Sequence, residues 1–280
     1  MNIGIVGLGL IGGSMAKAYK KAGAAVLGCD RDRLTTEFAK MAEAIDGELD
    51  EAHFSKCDLI MLAIPPAGAV AWLEENAPRL PKDALVIDCC GTKRCVCEAG
   101  FRLAKEYGFT YAGGHPMAGI QYGGFKHSKA ELYQGAIFSL VPEDRNDLFF
   151  LDRVKKLILP AGFSKLVISS AEEHDKIIAF TSQMAHVVSN AFIKSDTALT
   201  KGTAISAGSY RDFTRVAYLD ANMWTELFME NRDNLKHELD VLIEELKKYE
   251  KALEDNNADE MRRLLIEGRE RKTEVERRCG

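Results

Sequence analysis

The run Ile3-Gly4-Ile5-Val6-Gly7-Leu8-Gly9-Leu10-Ile11-Gly12 reads as a short buried strand, a glycine turn and the opening of a helix. A G-x-G-x-x-G spacing alone is weak, but here an apolar strand precedes it and a helical pattern follows from about Gly12 to Ala22. The glycines permit the tight turn, and the N–H groups at the helix start can receive a pyrophosphate. Gly7, Leu8, Gly9, Leu10, Ile11 and Gly12 are therefore expected to hold a dinucleotide. Asp30, 18 residues beyond Gly12, closes a second apolar strand and is placed to accept hydrogen bonds from a ribose. A carboxylate there repels a 2′-phosphate, which favours NAD over NADP. Arg31 and Arg33 temper that preference, since an arginine could pair with such a phosphate. No second flavin-contacting segment is visible, which argues against FAD.

Outward from this unit, short apolar runs recur at residues 25–29, 59–64, 85–88, 111–113 and 136–141, separated by helical segments. Continuous apolar strands of this kind indicate a parallel sheet covered on both faces, a Rossmann-type doubly wound α/β fold. Pro65-Pro66 ends the third run, and Ile64 and Pro65 are expected at the sheet's carboxyl edge, beside the cofactor. The same prolines serve equally well as a plain strand terminator. From about Ser169 helical patterns take over, starting with a capping-box-like Ser170-Ala171-Glu172-Glu173. Residues 238–272 are charged and periodic, with Leu239, Leu242, Ile243, Leu246, Tyr249 and Leu253 on one side. Such a stripe belongs to a core or a partner-helix seam. Two domains are expected, an NAD-binding one over residues 1–168 and an all-helical one over 169–280 that contributes to a homodimer.

The bulk composition narrows the classes. With 280 residues, 46% hydrophobic and 28% charged, the chain reads as a soluble globular protein. Its net charge of -5 gives no basic field for nucleic acid, so an anionic substrate must meet local Lys or Arg. No apolar run approaches the roughly 20 residues of a membrane helix, and the N-terminus enters the strand too early for a signal peptide. A cytoplasmic enzyme is the expectation. The seven cysteines are odd in number and lack paired zinc-finger spacing, so no metal site is expected.

Gly113-Gly114-His115-Pro116-Met117-Ala118-Gly119 follows the 111–113 strand on the same edge of the sheet. A histidine there is suited to proton transfer at neutral pH, but a loop histidine satisfied by a backbone carbonyl fits the spacing as well.

This segment resembles the histidine motif of the prephenate dehydrogenases and their arogenate-using (cyclohexadienyl) relatives. The similarity continues through His174-Asp175, His186, Asp212-Phe213-Thr214-Arg215 and Asn222-Met223-Trp224, and so runs from Gly7 to about Asn231. The resemblance implies a Rossmann domain, a helical dimerisation domain and NAD-dependent oxidative decarboxylation of prephenate or arogenate in tyrosine biosynthesis. It implies that His115 draws the proton from the ring hydroxyl while hydride leaves for NAD, and that Arg215 binds a substrate carboxylate. It gives His174 a part in ordering the site and His186 a contact with substrate or the inhibitor tyrosine, although either alone fits a satisfied interior histidine equally well. Arg211, four residues before Arg215, shares a helical face with it and enlarges the positive field. Ser182 is expected to add a hydrogen bond to cofactor or substrate, and Trp224 is expected to be mostly packing. His174 and His186, twelve residues apart, fall about 120° from coincidence on a continuous α-helix and make no obvious metal pair.

The chain departs from the family in places. Where many relatives carry a serine that orients the histidine, this sequence offers Gly91 or, shifted by one, Thr92, and Thr92 is expected to take that part. After the histidine motif come Ile120 and Gln121 in place of a hydroxyl residue and a carboxylate. A neutral Gln121 has no anion for the amino group of arogenate, which leans the reading to prephenate. No fused regulatory or mutase module is expected after the long charged segment. Rival readings have less behind them. A β-hydroxyacid dehydrogenase would show a lysine with an asparagine one turn later, but Lys176 is followed by Phe180. An imine reductase shares only the general architecture. An NAD-sensing regulator would need a basic DNA-reading element, and an assembly scaffold leaves His115 and Arg215 unexplained.

Overall fold

The structure, a computed structural model, describes residues 1–200 and 206–279. It divides into a unit over Met1–Asn231 and a second over Arg232–Gly280.

The first unit is built on an eight-stranded sheet. Its strands are β1 (Asn2–Val6), β2 (Ala25–Cys29), β3 (Gly47–Glu48), β4 (Leu59–Leu62), β5 (Leu85–Asp88), β6 (Thr110–Pro116), β7 (Ile137–Val141) and β8 (Lys165–Ile168). They lie in the order β3-β2-β1-β4-β5-β6-β7-β8. All neighbours from β3 to β6 are parallel, β7 is antiparallel to β6, and β8 is parallel to β7. The apolar strands are explained by burial on both faces. Leu59 and Met61 enter one core cluster with Ile3 and Ile5, while Ile60 and Leu62 enter another with Val6 and Val86. Helices α1 (Leu10–Lys21), α2 (Arg33–Met41), α3 (Pro66–Asn76), α4 (Arg94–Tyr107) and α5 (Leu148–Ile158) alternate with the strands. Strand order reverses between β1 and β4, and the loops after those two strands therefore flank the crevice where such sheets take ligands.

Several elements differ from the sequence reading. The third strand stops at Leu62, because Pro65 and Pro66 offer no N–H and Pro66 already opens α3. The strand expected over 111–113 runs on to Pro116, since β7 supplies an antiparallel partner for Gly113, Gly114, His115 and Pro116 where the pairing with β5 has ended at Ala112. The sheet is thus not wholly parallel. The short β3 and the half-exposed β8 carry no long apolar run that would announce them.

Beyond the sheet come α6 (Ala171–Ile178), a π-helical turn (Ala179–Gln183), α7 (Met184–Phe192), α8 (Gly208–Thr214) and α9 (Ala221–Glu230). The capping box forms as expected: the Glu173 N–H donates to Ser170 Oγ and the Ser170 N–H to Glu173 Oε2. The second unit is a pair of helices, α10 (Arg232–Glu254) and α11 (Ala258–Cys279). The charged, periodic stretch 238–272 is divided between two helices because Asn256 adopts a left-handed φ of 51° and Asn257 Oδ1 accepts the Glu260 N–H at 3.0 Å, capping a new start. Among the described residues no helix is long and apolar enough to cross a membrane, and no cluster of side chains could hold a metal ion.

Candidate active site

The glycine loop after β1 has the form its sequence predicts. Gly7 turns with φ 88°, and a Cβ there would collide with Ala63 O and Ile64. A Cβ on Gly12 would run into the Gly7 carbonyl, so α1 can approach the turn only with glycine at that position. Gly9 is different: nothing lies within 4 Å of the place a Cβ would take. It is the N-cap of α1, and no side chain caps that helix start. The loop therefore leaves open space in front of uncapped N–H groups, which fits a pyrophosphate. Asp30 Oδ2 accepts the Leu8 N–H at 2.8 Å and Oδ1 the Asp32 N–H at 2.9 Å. Its carboxylate is thereby fixed at the mouth of the loop with acceptor capacity to spare for a ribose. Arg31 and Arg33 are exposed beside it, and Ile64 lines the turn next to Gly7.

At the carboxyl end of β5 lies a polar cluster whose connections could not be read from the sequence. Asp88 and Lys93 are both fully buried and paired. Asp88 Oδ1 also accepts the Tyr111 hydroxyl at 2.6 Å and the Gly114 N–H at 3.2 Å, and Oδ2 accepts the Cys90 N–H at 2.9 Å. Four donors thus saturate one carboxylate, and Gly114 brings the β6 backbone close enough to be one of them. Burial would push the Lys93 ammonium down; Asp88 and the neighbouring thiols overturn that and leave it raised.

A second carboxylate, Asp175 on α6, sits at the start of α4. It accepts the N–H of Lys93 at 2.7 Å and of Arg94 at 3.0 Å, capping that helix from outside. Asp175 Oδ1 also lies 2.8 Å from His174 Nδ1, and His174 Nε2 lies 3.0 Å from His115 Nδ1. Burial pushes the Asp175 carboxyl up, but the hydrogen bonds from His174 and the two amides outweigh it and hold it below its ordinary value. An ionised carboxylate only accepts, so His174 donates from Nδ1 and accepts at Nε2. His115 must then donate from Nδ1, which leaves the Nε2 lone pair as a base. Burial, reinforced by the neighbouring His174 and the Lys93 ammonium, pushes His115 well below the ordinary histidine value, so its ring is neutral at neutral pH. His174 is lowered mainly by burial and also by Lys93, against the pull of Asp175.

Thr92 does not reach His115. Its hydroxyl donates to Glu230 Oε2 at the end of α9. His174, 59 residues from His115 in the chain, occupies the partner's place instead. Burial raises the Glu230 carboxyl, with Glu226 and Asp175 adding to the shift.

His186, on α7, belongs to a second group. Its Nδ1–H donates to the Ser182 carbonyl at 2.8 Å, and its ring lies on Trp224 with centroids 4.0 Å apart. Burial lowers His186 and the Arg215 guanidinium lowers it further, which puts Arg215 within electrostatic reach of the ring. Trp224 is thus a direct neighbour of a proposed site residue as well as packing. Arg215 follows the end of α8, Arg211 lies on that helix, and both are exposed, without a carboxylate partner among the described residues. Gln121 is exposed in the loop beyond β6 and is brought to neither histidine group by any hydrogen bond among the described residues. Sequence reasoning missed Asp88, Lys93, Asp175 and Glu230 as site residues; only His174-Asp175, as a motif, hinted at one of them.

Comparison with known proteins places this arrangement. Residues 15–166 match the family model described as the prephenate dehydrogenase nucleotide-binding domain, and residues 170–267 the one described as the prephenate dehydrogenase dimerization domain. A prephenate dehydrogenase of Bacillus subtilis is 29% identical over 270 residues, covering 93% of this chain and 72% of that protein. The crystal structure of an Aquifex aeolicus prephenate dehydrogenase in complex with hydroxyphenyl propionate and NAD+ superposes with a TM-score of 0.83 at 26% identity, over 98% of each chain. A Synechocystis arogenate dehydrogenase gives 0.79 at 26% identity, over 98% of this chain and 100% of that one.

Proposed function

The chain belongs to the prephenate dehydrogenase family, and on that premise we propose that it oxidises prephenate with NAD, releasing CO2 and 4-hydroxyphenylpyruvate. The observation that carries the reading is the directed chain Asp175–His174–His115, which leaves a neutral imidazole with its Nε2 lone pair available. NAD, when bound, supplies the hydride acceptor. Gly7, Gly9 and Gly12 with the α1 N-terminus would receive its pyrophosphate, Asp30 would hold its ribose, and Ile64 and Pro65 would border it. His115 Nε2 takes the proton of the ring hydroxyl as hydride is lost from the carbon that bears that hydroxyl. The imidazolium so formed still donates from Nδ1 to His174, and the fixed Asp175 carboxylate stabilises the positive charge. Arg215, flanked by Arg211 and His186, pairs with substrate carboxylate, for which a guanidinium fork is suited. CO2 departs leaving its bonding pair in the ring, which becomes aromatic, so the step is effectively irreversible.

The neutral Gln121 supports prephenate over arogenate, because an ammonium group would lack an anion there. The change of character at Ser169 supports two domains, 1–168 and 169–280. The dimerization-domain match supports a homodimer, as do exposed Val241, Ile243, Leu246 and Leu253 on α10. Thiols at all six described cysteines agree with a cytoplasmic setting. Incubating the purified protein with prephenate or arogenate and either NAD or NADP tests the proposal. NADH together with 4-hydroxyphenylpyruvate from prephenate is expected; reduced cofactor from neither substrate would sink it, and faster turnover of arogenate would reassign the substrate.

A further inference from the structure

The segment 171–192 is one helical rod interrupted by the π turn Ala179–Gln183. A π turn accommodates about one extra residue, so every residue beyond it is wound back by roughly 100°. On a continuous α-helix His174 and His186 would lie about 120° apart; with the π turn they fall roughly 20° apart, on one face. The turn also sets the rest of α7. Ser189 Oγ donates to the Phe213 carbonyl at 2.7 Å and Asn190 Nδ2 to the Ala217 carbonyl at 3.1 Å, so α7 grips both sides of Arg215.

Two buried amides hold this turn. Gln183, its last residue, is 1% exposed and Asn231 is 0% exposed. Asn231 Nδ2 donates to Gln183 Oε1 and to the Asp175 carbonyl, both at 2.8 Å. Gln183 Nε2 donates to the Leu227 carbonyl at 3.0 Å, and Arg94 Nη2 donates to Asn231 Oδ1 at 3.1 Å. The amide pair therefore spans the π turn, the residue that orients His174, and the end of α9, which carries Trp224. Losing either amide would leave buried polar atoms unpaired, whereas an uninterrupted α-helix would turn Gln183 and His186 away from these partners.

We propose that Gln183 and Asn231 are positioning residues that clasp the π turn and thereby set His186 and the Arg215 segment in register with the His115–His174 pair. The proposal rests on the function argued above but has a readout that needs no substrate. The chain has two tryptophans, so Trp72→Phe leaves Trp224 as the sole indole. Protonation of the His186 ring stacked on it is expected to quench its fluorescence, giving a titration that His186→Asn should abolish. In that background Gln183→Leu is expected to lose the titration. The same substitution in the otherwise native chain should raise the KM for prephenate at least about tenfold, with kcat and the NAD KM changed less than about threefold. Asn231→Asp, of the same shape, should act alike and decides the matter if Gln183→Leu does not fold. A full titration and an unchanged prephenate KM in a folded variant would overturn the clasp. A wild-type titration without oxidation of prephenate would contradict the function and leave the clasp standing.

Discussion

Asp175, His174 and His115 are hydrogen-bonded in a chain whose protons can be arranged in only one direction while the carboxylate is ionised. Asp175→Asn removes that constraint, because an amide can donate as well as accept. We expect kcat to fall by about 10²-fold or more with prephenate KM little changed, as steady-state kinetics would record; an unaltered kcat would remove Asp175 from the mechanism. The buried Asp88–Lys93 pair poses a stability question. Lys93→Met leaves a buried carboxylate without its cation and should cost about 3–5 kcal/mol in denaturant unfolding. A loss under about 1 kcal/mol would mean that Tyr111 and the two amides suffice for Asp88. At this scale the sequence was legible in part. His115, His174 and Arg215 stood in motifs, and the structure brings the first two into contact. The partner of His115 was not legible, because contact between residues 59 apart depends on the tertiary fold that brings α6 to the end of β6. Thr92 had the right chemistry nearby in sequence, but its hydroxyl is drawn to a half-buried carboxylate on α9.

The elements follow from periodicity wherever both faces of a strand are buried, which is why β1, β2, β4 and β5 lie where the apolar runs place them. β6 outgrew its apolar run because Gly114 carries no side chain and His115 is polar, yet the backbones of Gly114, His115 and Pro116 pair with β7. The π turn left no sequence signal, and the buried amide that bonds its last residue, Asn231, lies 48 residues further along the chain. The glycine loop offers a sharper test. Gly9→Ala fills open space, so unfolding should change by no more than about 0.5 kcal/mol while NAD Kd rises at least tenfold by titration. Gly12→Ala, which strikes the Gly7 carbonyl, should instead lower the melting temperature as well. Equal Kd for Gly9→Ala and wild type would mean the pyrophosphate lies elsewhere.

For the molecule as a whole, three histidines are held below their ordinary value near 6.5: His115, His174 and His186, each chiefly by burial. Between the folded values and about pH 6.5 the unfolded chain binds protons that the folded chain refuses. Stability therefore rises with pH through that window and is lost as pH falls below about 6.5. Asp175, lowered on folding, adds a further loss at more acidic pH as it is protonated. Urea unfolding across this range should show the decline, and a His174→Asn variant should show a shallower one; a flat wild-type profile would mean these rings protonate freely in the fold. The fold class was legible because composition and period act along the whole chain, whereas the break at Asn256 depends on one left-handed residue. The proposed chemistry turns on His115, kept neutral with Nε2 free, as the base for prephenate oxidation. Its decisive test is the pH dependence of kcat/KM for NADH formation from prephenate in wild type and His115→Asn. The wild-type rate should already be at its plateau at about pH 7, and the His115→Asn rate should be lower by about 10²–10⁴ with NAD binding retained; near-native turnover in His115→Asn would contradict that role.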